Sequence, residues 1–561
     1  MKQALIECVP NISEGRNRQI IDAIAGVVET VDGVKLLDID PGQATNRTVI
    51  TFVGAPEAVV EAAFRLIKKS NELIDMRKHQ GEHPRFGATD VCPLIPIAHI
   101  SMEETAAFAH KLGERVGKEL GLSGYFYESA AKSPQRKNLA SVRAGEYEGL
   151  EQKLAKPEWQ VDFGPNTFNP KFGAVAIGAR DFLVAYNVNL NTTSTRRANA
   201  VAFDVREAGR TQNDPKTGKP MKDEKGELIR IPGKLKAVKA IGWYIEEYGI
   251  CQISMNLTNI NITSVHEAFD AVCESAQARG MRVTGSEIVG LLPKKALLDA
   301  GKHYLRKQER SLGVDEAELI KIAVKSMGLD DLAPFDPQQK IIEYKLQSPN
   351  ESPLVAMSLT DFANQTASES PAPGGGSVSA YLGSLAAALG TMVANLSSHK
   401  RGWDERWEYF SQWAEKGQSL KDELLHLVDE DTRAFNEILN AIRLPKNDAQ
   451  AVQARNEAIN VATRYAIEVP FRVMQTSLQC FPLLKEMLQS GLAASASDAA
   501  VGALCARAAV MGAYFNVQIN CKDFEDKVFV QEKLALAKTI AEQARAQEQE
   551  IIDLLSQKIG L

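Results

Sequence analysis

The sequence predicts an α+β N-terminal half, built as two subdomains of one sheet and one helix layer each, followed by an all-α helical-bundle domain. Two observations lead to this fold class. Segments with the two-residue periodicity of strands alternate with helical segments from residue 3 to residue 288. After residue 359 the periodicity is helical almost throughout, and runs rich in β-branched residues nearly disappear.

A charged segment at 330–343, interrupted by Pro334 and Pro337, separates the two regions. A chain of 561 residues is also too long for a single hydrophobic core. We therefore predict four parts, which are an N-terminal subdomain at 1–181, a second subdomain at 182–344, a linker at 345–356 and a helical domain at 357–561.

The elements of the α+β half follow from local periodicity. The predicted strands cover 3–9, 34–39, 47–53, 91–97, 124–127, 174–176, 182–190, 252–257 and 282–288. The predicted helices cover 20–31, 59–74, 104–120, 194–209 and 265–278. Residues 210–235 are charged and rich in glycine, which predicts an exposed hairpin or a mobile loop.

The last 200 residues predict an antiparallel helical bundle. Its helices are expected at 382–396, 406–427, 431–442, 450–469, 473–490, 496–520 and 527–555. Pro482 is expected to kink or break the fifth of them, because proline cannot donate the helical hydrogen bond.

Composition excludes several classes of function. The net charge is −6 and no segment is strongly basic, which argues against a nucleic-acid partner. Seven cysteines at irregular spacings favour reduced thiols over a disulfide framework or a zinc site. The N-terminus lacks the features of a signal peptide, and no apolar run reaches membrane-spanning length. We expect a cytoplasmic protein without a membrane partner.

The residues with the clearest chemistry lie between positions 79 and 93, in HQGEHPRFGATDVCP. Histidine exchanges protons near neutral pH, which suits general acid–base catalysis. His79 and His83 are the candidates, and Glu82 or Asp90 would fix the imidazole tautomer. Arg85 would hold a substrate carboxylate through paired hydrogen bonds. The alternative is a polar surface loop that joins a helix to a strand.

Two segments rich in glycine and proline are candidate binding loops. DFGPNTFNPKFG at 162–173 could stack a planar ring and offer backbone donors, or it could be a connecting loop with buried aromatic residues. SPAPGGGSV at 370–378 precedes a long alanine-rich helix, whose N-terminus favours anions. The alternative for the second segment is a flexible linker that enters the helix.

A third segment, LVDEDTRAFNEIL at 427–439, contains Asp429 and Asp431. Acidic residues at a helix start commonly cap it, and the spacing alone favours that interpretation. A carboxyl group in an apolar bundle could instead have a raised pKa and act as an acid.

These motifs resemble those of known folate enzymes. ECVPNISEGRN at 7–17, LLDIDPGQATNRTV at 36–49 and RKHQGEHPRFGATDVCPLIPI at 77–97 resemble formiminotransferases. APGGGSV at 372–378 and the segment 427–439 resemble cyclodeaminases and methenyl-folate cyclohydrolases. The whole chain resembles the formimidoyltransferase-cyclodeaminase family, and residues 210–235 look like an insertion.

The resemblance implies a bifunctional enzyme of histidine degradation. The first reaction would transfer the formimino group of N-formimino-L-glutamate to tetrahydrofolate. The second would close 5-formiminotetrahydrofolate to 5,10-methenyltetrahydrofolate and release ammonia. A glutamate formyltransferase fused to a methenyltetrahydrofolate cyclohydrolase, and a non-catalytic folate-binding scaffold, are the alternatives.

The resemblance also implies roles for single residues. His83 would be the catalytic base of transfer, with His79 as the rival, and Asp40 a polarising carboxylate. Asp431 would be the acid of cyclisation, with Asp429 as the alternative. The implied substrate and folate contacts are Arg47, Glu82, Arg85, Gly164, Pro165, Asn166, Thr167, Phe168, Asn169, Pro170, Lys171, Phe172, Gly173, Gly374, Gly375 and Gly376.

Tetrahydrofolate, in its polyglutamylated form, is the implied co-substrate, and the family assembles as a homo-oligomer. No metal is expected, because no cluster of histidine, cysteine and carboxylate residues has the spacing of metal ligands.

Overall fold

The computed structural model describes residues 4–43, 45–81, 84–224, 226–346 and 353–560. The chain divides into two compact units, one of Met1–Leu297 with Val324–Leu346 and one of Leu298–Ala323 with Gln347–Leu561. All strands of the described residues belong to the first unit, and the second unit is helical. This confirms the predicted fold class. Part of the predicted linker, 347–352, lies outside the described residues.

The first sheet of the first unit has seven strands. They are β1 (Leu5–Cys8), β2 (Asn11–Ile12), β3 (Val34–Gly42), β4 (Arg47–Gly54), β5 (Thr89–Ala98), β6 (Gly124–Glu128) and β7 (Val175–Ala179). β3 forms one edge beside β4, and β1 and β2 both lie between β4 and β5. β5, β7 and β6 follow as parallel neighbours, whereas the other pairs are antiparallel.

Three helices cover one face of this sheet, which we call the outer face. They are α1 (Arg18–Ala25), α2 (Pro56–Leu73) and α3 (Met102–Leu120). Their apolar sides pack on fully buried residues such as Ile50, Phe52 and Leu94. A capping box between Ser101 and Glu104 fixes the start of α3, because each side chain bonds the other residue's backbone N–H.

The opposite, inner face of the first sheet is covered in two parts. Short helices α4 (Leu139–Arg143) and α5 (Leu150–Leu154) cover one part, over Tyr125 and Tyr127. The other part packs Leu37 and Val53 against Leu291 of the second subdomain. Of the two parts, it is therefore the second that packs against the second subdomain.

The second sheet has the order β11-β12-β8-β13 and is antiparallel. Its strands are β8 (Val184–Leu190), β11 (Val238–Ile245), β12 (Ile250–Leu257) and β13 (Val283–Val289). Helices α6 (Thr195–Val205) and α7 (Val265–Gln277) cover one face of it. The short strands β9 (Arg210–Thr211) and β10 (Arg230–Ile231) pair in the segment 210–235, which favours the hairpin among the two alternatives that the sequence left open.

Strand β11 was not predicted. It is an edge strand, and its buried positions include Ala240 and Gly242 while Ile241 is exposed. The usual alternation of large apolar and polar side chains is therefore absent, and the sequence pattern carries little strand signal.

Helices α8 (Lys294–Lys307), α9 (Glu316–Met327), α10 (Pro337–Lys340) and α11 (Ile342–Leu346) follow β13. The remaining helices are α12 (Leu359–Thr366), α13 (Gly375–Ser398), α14 (Trp407–Ile442), α15 (Ala449–Leu478), α16 (Cys480–Ser490), α17 (Ala496–Cys521) and α18 (Lys527–Ile559). The helix α13 packs against α14, α15, α16 and α17 and is the centre of the bundle. Its buried side includes glycines, alanines and serines, so neighbouring backbones approach closely.

Two sequence predictions about this bundle were wrong. Residues Trp407–Ile442 form one continuous helix, so Asp429 and Asp431 lie inside α14 and cap no helix. Helix α15 runs through Pro470, because tertiary packing around this buried proline outweighs the lost hydrogen bond. The expected break at Pro482 is confirmed, since α16 begins two residues before it.

Two helical segments of the described residues are long and apolar enough to cross a membrane by length and composition. They are Gly375–Ser398 and Ala493–Cys521, and their most apolar windows are 61% and 50% buried in the chain. Core helices of globular domains have the same properties, so the feature by itself is weak evidence for a membrane.

Candidate functional site

A buried carboxylate, Asp90, binds the predicted transferase residue Arg47. Asp90 is fully buried and pairs with Arg47, and Arg143 binds the same oxygen at 2.9 Å. Its other oxygen accepts a hydrogen bond from the Phe86 N–H at 2.9 Å. Burial alone would raise the pKa of Asp90, but the two guanidinium groups outweigh it and the pKa is lowered.

Asp90→Asn is expected to lower the free energy of unfolding of the first unit by about 3–5 kcal/mol, because two arginines would lose their shared counter-ion. Urea unfolding followed by far-UV circular dichroism measures this. Because the pKa of Asp90 is lowered in the fold, the stabilisation it provides is present above its ordinary pKa and is lost as the pH falls through the lowered one. Asp22→Asn is the control. Asp22 forms an exposed ion pair with Arg18, so this substitution should leave the midpoint of urea unfolding almost unchanged. Equal effects of the two substitutions would contradict the prediction.

Residues 79–81 are anchored to the loop before β4. The Nε2 atom of His79 lies 2.8 Å from the Asn46 carbonyl oxygen, which only accepts, so this nitrogen carries the hydrogen. The Asn46 side chain donates to the Gln80 carbonyl at 2.8 Å and accepts from the Gly15 N–H at 2.9 Å. A Cβ atom on Gly81 would lie 2.3 Å from the Thr45 carbonyl oxygen, so only glycine fits there.

His79 is therefore held as a neutral, backbone-bonded imidazole. Burial lowers its pKa, and its Nδ1 atom accepts from Arg85 Nε at 3.2 Å. These contacts favour a structural role for His79 over a catalytic one.

Arg85 is anchored from the other side. It forms paired hydrogen bonds to Glu148 at 2.7 and 2.8 Å, and its backbone carbonyl accepts from the Tyr147 N–H at 2.9 Å. Binding a substrate carboxylate would require Arg85 to exchange it for Glu148. Glu82 and His83 themselves lie outside the described residues.

Asp40 lies near the end of β3, opposite Val49 of β4, and is half-buried. Within the described part of the chain, no hydrogen bond or ion pair holds its carboxylate. Arg47, which the sequence predicts as a substrate contact, is 9% exposed and bonded to Asp90 and to Asn11 Oδ1 at 3.0 Å.

The predicted folate loop has a fixed backbone. Gly164 and Gly173 have positive φ angles of 77° and 76°, and Asn169 Oδ1 accepts the N–H groups of Lys171 and Phe172 at 3.0 and 3.1 Å. Tyr147 donates to the Pro170 carbonyl at 2.6 Å. Tyr147 thus ties this loop to Arg85.

A surface cavity of about 410 Å³ lies beside this loop. It is lined by Glu151, Leu154, Ala155, Lys156, Pro157, Gln160, Asn166, Thr167 and Phe168. Three of the predicted folate contacts therefore border an open space.

In the helical unit, two predicted site elements meet. The Ser377 hydroxyl lies 3.1 Å from Asp431 Oδ2 and 2.8 Å from the Val428 carbonyl oxygen. A Cβ atom on Gly376 would lie 2.1 Å from Asp431 Oδ1. The N-terminus of α13 therefore contacts Asp431 directly. Burial raises the pKa of Asp431 more than the Ser377 hydrogen bonds lower it.

Asp429 occupies a different environment. It is 6% exposed, and its carboxylate accepts the backbone N–H groups of Leu354 at 2.9 Å and Val355 at 3.4 Å. Asn520 donates to the Ala466 carbonyl at 2.7 Å and joins two helices, whereas Asn516 bonds within its own helix. The Asp429 and Asn520 side chains therefore stabilise the packing of the bundle through these hydrogen bonds.

The glycines at the start of α13 give a matched pair of variants. Gly376→Ala is expected to reduce cyclisation at least 100-fold, because the new methyl group would overlap the Asp431 carboxylate. Among the described residues, the added Cβ of Gly375→Ala comes within 4 Å of Asn516 Nδ2 alone, at 3.5 Å, so this variant should keep the fold. The two variants are compared by thermal unfolding and by ammonia release from 5-formiminotetrahydrofolate. Equal activity in both would contradict the prediction.

Comparison with known proteins places both halves in one family. Family models match residues 5–180 (formiminotransferase domain, N-terminal subdomain), 185–347 (formiminotransferase domain) and 358–539 (formiminotransferase-cyclodeaminase). The formimidoyltransferase-cyclodeaminase of Gallus gallus is 42% identical over 555 residues, which cover 99% of each chain. The chain belongs to the formimidoyltransferase-cyclodeaminase family. This confirms the resemblance found in the sequence.

Two shorter relatives of this family match one half each. The glutamate formimidoyltransferase of Streptococcus pyogenes serotype M1 is 39% identical over 305 residues, which cover 54% of this chain and 94% of that protein. The methenyltetrahydrofolate cyclohydrolase of Methylorubrum extorquens is 31% identical over 199 residues, which cover 36% of this chain and 96% of that protein. The two halves thus have separate counterparts.

Some residues of these sites were missed by sequence reasoning. Asn46 and Ser377 lie inside the quoted segments 36–49 and 370–378, but their contacts with Gln80 and Asp431 arise only through the fold, at sequence separations of 34 and 54 residues. The positive φ of 47° at Asn46 is typical of a tight turn, which the preceding Pro41-Gly42 could have suggested. Within the segment 370–378, nothing in the sequence distinguished Ser377 from its neighbours.

Proposed function

We propose that the two reactions of this bifunctional enzyme use two separate sites, one in each compact unit. The chain transfers the formimino group from N-formimino-L-glutamate to tetrahydrofolate and then cyclises the product with release of ammonia. One observation supports the proposal most strongly. In the first unit Asp90 binds the predicted transferase residue Arg47 together with Arg143, and in the second unit the predicted acid Asp431 contacts Ser377 at the start of α13.

For transfer, the proposed base is His83. N5 of tetrahydrofolate attacks the amidine carbon of the formimino group and gives a tetrahedral centre. His83 removes the N5 proton and returns a proton to the departing glutamate nitrogen. Asp40, with no bonded partner among the described residues, stabilises the positive amidine, and Arg47, Glu82 and Arg85 position the substrate.

For cyclisation, the proposed acid is Asp431 rather than Asp429. N10 closes onto the formimino carbon, and the departing nitrogen must gain a proton to leave as ammonia. The raised pKa of Asp431 favours the protonated form that can donate. Asp429 already accepts two backbone hydrogen bonds, so it has no equivalent freedom. Gly374, Gly375 and Gly376 offer backbone donors to the folate at the start of α13.

The experiment that tests the function separates it from the nearest alternative. Incubation with formiminoglutamate and tetrahydrofolate should release ammonia and yield one equivalent of methenyltetrahydrofolate per ammonia. The methenyltetrahydrofolate is measured by its absorbance. A formyltransferase fused to a cyclohydrolase would use formylglutamate and would release no ammonia. Folate binding without turnover would identify a scaffold.

We propose that the enzyme is a homo-oligomer. Helix α17 exposes Val501, Leu504 and Ile519 at 48%, 45% and 69%, and these positions share one stripe along the helix. The neighbouring α13 exposes Leu385 and Leu396. Such a surface marks an interface more often than a free one. Leu504→Glu with Ile519→Glu should lower the mass found by light scattering; an unchanged mass would place the interface elsewhere.

The remaining expectations stay proposals. Polyglutamylated tetrahydrofolate is the proposed physiological co-substrate, and no metal takes part. All seven cysteines are free thiols, which supports a cytoplasmic location. The acidic net charge supports the absence of a nucleic-acid partner, and no membrane partner is proposed.

A further inference from the structure

Lys153 is a buried cation that the proposed mechanism does not use. It lies in the short helix α5 and is 7% exposed. Buried lysines are rare, because removing an ammonium group from water is costly unless other groups bond to it. Among the described residues, no carboxylate lies within ion-pair distance of the Lys153 Nζ atom. The groups that hold this charge are therefore neutral.

Three backbone carbonyl groups and one aromatic ring surround the ammonium group. The Nζ atom donates to the carbonyl oxygens of Ser141, Val142 and Ala144 at 2.9, 2.6 and 3.1 Å. It also lies 3.9 Å from the centre of the Trp159 ring, which is a distance typical of a cation–π contact. The three carbonyls lie at the end of α4, where a helix leaves its last C=O groups without partners. Lys153 therefore caps the C-terminus of α4.

The end of α4 and the turn after it hold the segment next to the proposed base. Arg143, the last residue of α4, donates to the Pro84 carbonyl oxygen at 3.2 Å. Glu148, in the turn, forms paired hydrogen bonds with Arg85 at 2.7 and 2.8 Å. These two contacts reach the two residues that directly follow His83 in the chain. The geometry at position 83 therefore depends on the placement of α4 and of this turn.

Lys153 ties the two ends of the turn together. The turn, residues 144–149, leaves α4 and enters α5. Because the Lys153 side chain extends from α5 to the carbonyls at the end of α4, it closes the turn with three hydrogen bonds. Inside the turn, the Gly149 N–H donates to the Gly145 carbonyl oxygen at 2.7 Å. Loss of the ammonium group would leave the end of α4 uncapped and the turn less constrained.

We propose that Lys153 is a positioning residue for formimino transfer, whose positive charge holds Arg143 and the turn 144–149 in the arrangement that places His83. This inference rests on the proposed function, in which His83 is the base. A displacement of about 1 Å at a reacting group can lower a rate about 100-fold. Loss of the Lys153 charge should therefore lower kcat for transfer although the base itself is still present.

The charge of Lys153 also makes transfer depend on pH. Burial lowers the pKa of Lys153 to about 8, with smaller effects from the positive charges of Lys156 and Arg136. The titratable groups on the elements packed around Lys153 are Arg136, Arg143, Lys156, Tyr125 and Asp162, of which Asp162 is paired with Arg136. A neutral amine has two N–H groups, so one of the three carbonyls loses its donor above this pH. Transfer by the native enzyme should therefore fall about tenfold between about pH 7 and about pH 9.5.

Two variants separate this role from ordinary support of the fold. Lys153→Met keeps the apolar stem but cannot donate, so kcat for transfer at pH 7 should fall about tenfold or more, and the fall near pH 8 should disappear. Lys153→Arg keeps its charge at every working pH, so it should also lack the fall near pH 8. Lys137→Met is the matched control, because Lys137 is exposed just before α4. Circular dichroism shows which variants are folded.

The sign of the stability effect excludes unfolding as the cause of the fall. Because the pKa of Lys153 is lower in the fold than in the unfolded chain, raising the pH from about 8 to the ordinary lysine pKa favours the folded state. Loss of this proton therefore does not unfold the protein over the range in which transfer should fall. Thermal unfolding of the native enzyme across the same pH series measures this.

Three results would overturn the inference. They are native transfer at pH 7 in folded Lys153→Met, a native pH profile without a fall near pH 8, and a fall near pH 8 that persists in either variant. If Lys153→Met does not fold, Lys153→Arg and the native profile decide. The proposed function survives each of these results, because His83→Ala tests it independently.

Discussion

His83→Ala is expected to reduce formimino transfer by about 10²–10⁴-fold and to leave cyclisation unchanged. A general base that also returns the proton accounts for a factor of this size. The segments on both sides of this residue are fixed by Asn46, through Gln80, and by Glu148, through Arg85. Loss of one imidazole should therefore not reorganise the site. Transfer is measured as loss of formiminoglutamate, and cyclisation with supplied 5-formiminotetrahydrofolate.

The second histidine of the motif provides the control. His79→Asn removes an imidazole that bonds the Asn46 carbonyl and Arg85, so it should lower the unfolding midpoint and keep the shape of the pH–rate profile. His83→Ala should keep the native unfolding midpoint, and its pH–rate profile for transfer should lack the acidic limb. Transfer at the native rate in His83→Ala, or loss of the limb in His79→Asn, would refute the assignment.

The sequence identified the segment with the chemically reactive side chains, but it did not identify the residues that bind those side chains in the fold. The stretch at 79–93 stands out because two imidazoles, two carboxylates and a guanidinium occur with glycine and proline. Asp90 was expected to orient a histidine, yet it neutralises Arg47 and Arg143. Local composition identifies charged residues, but the choice of counter-ion depends on strands and helices 43 and 53 residues away.

The same limit applies to the fold. Long amphipathic helices such as α2 and α3 were found within a few residues because their periodicity is strong. The edge strand β11 was missed because small residues fill its buried positions. The break predicted near Asp429 was wrong, since α14 continues there as one helix of 36 residues. Polar residues inside a buried helix resemble a cap when the packing around them is unknown.

Asp431→Asn is expected to reduce cyclisation by about 10²–10⁴-fold while transfer continues at the native rate. The asparagine keeps the shape beside Gly376 and Ser377 but cannot donate an acidic proton to the departing nitrogen. Because only the protonated acid acts, the native cyclisation rate should fall as the pH rises through the raised pKa of Asp431. The variant should lack this limb. Ammonia release from 5-formiminotetrahydrofolate across a pH series measures both effects.

Stability separates this catalytic role from a structural one. The pKa of Asp431 is raised in the fold by burial, so its contribution to stability is fully present below the ordinary aspartate pKa and is lost as the pH rises through the raised value. Asp431→Asn removes that loss, so above the raised pKa the variant should be at least as stable as the native enzyme. Asp429→Ala should behave in the opposite way, because it leaves the N–H groups of Leu354 and Val355 without their acceptor and costs about 1–3 kcal/mol. An Asp431→Asn protein that loses both stability and transfer would show that this carboxyl group supports the bundle instead of the reaction.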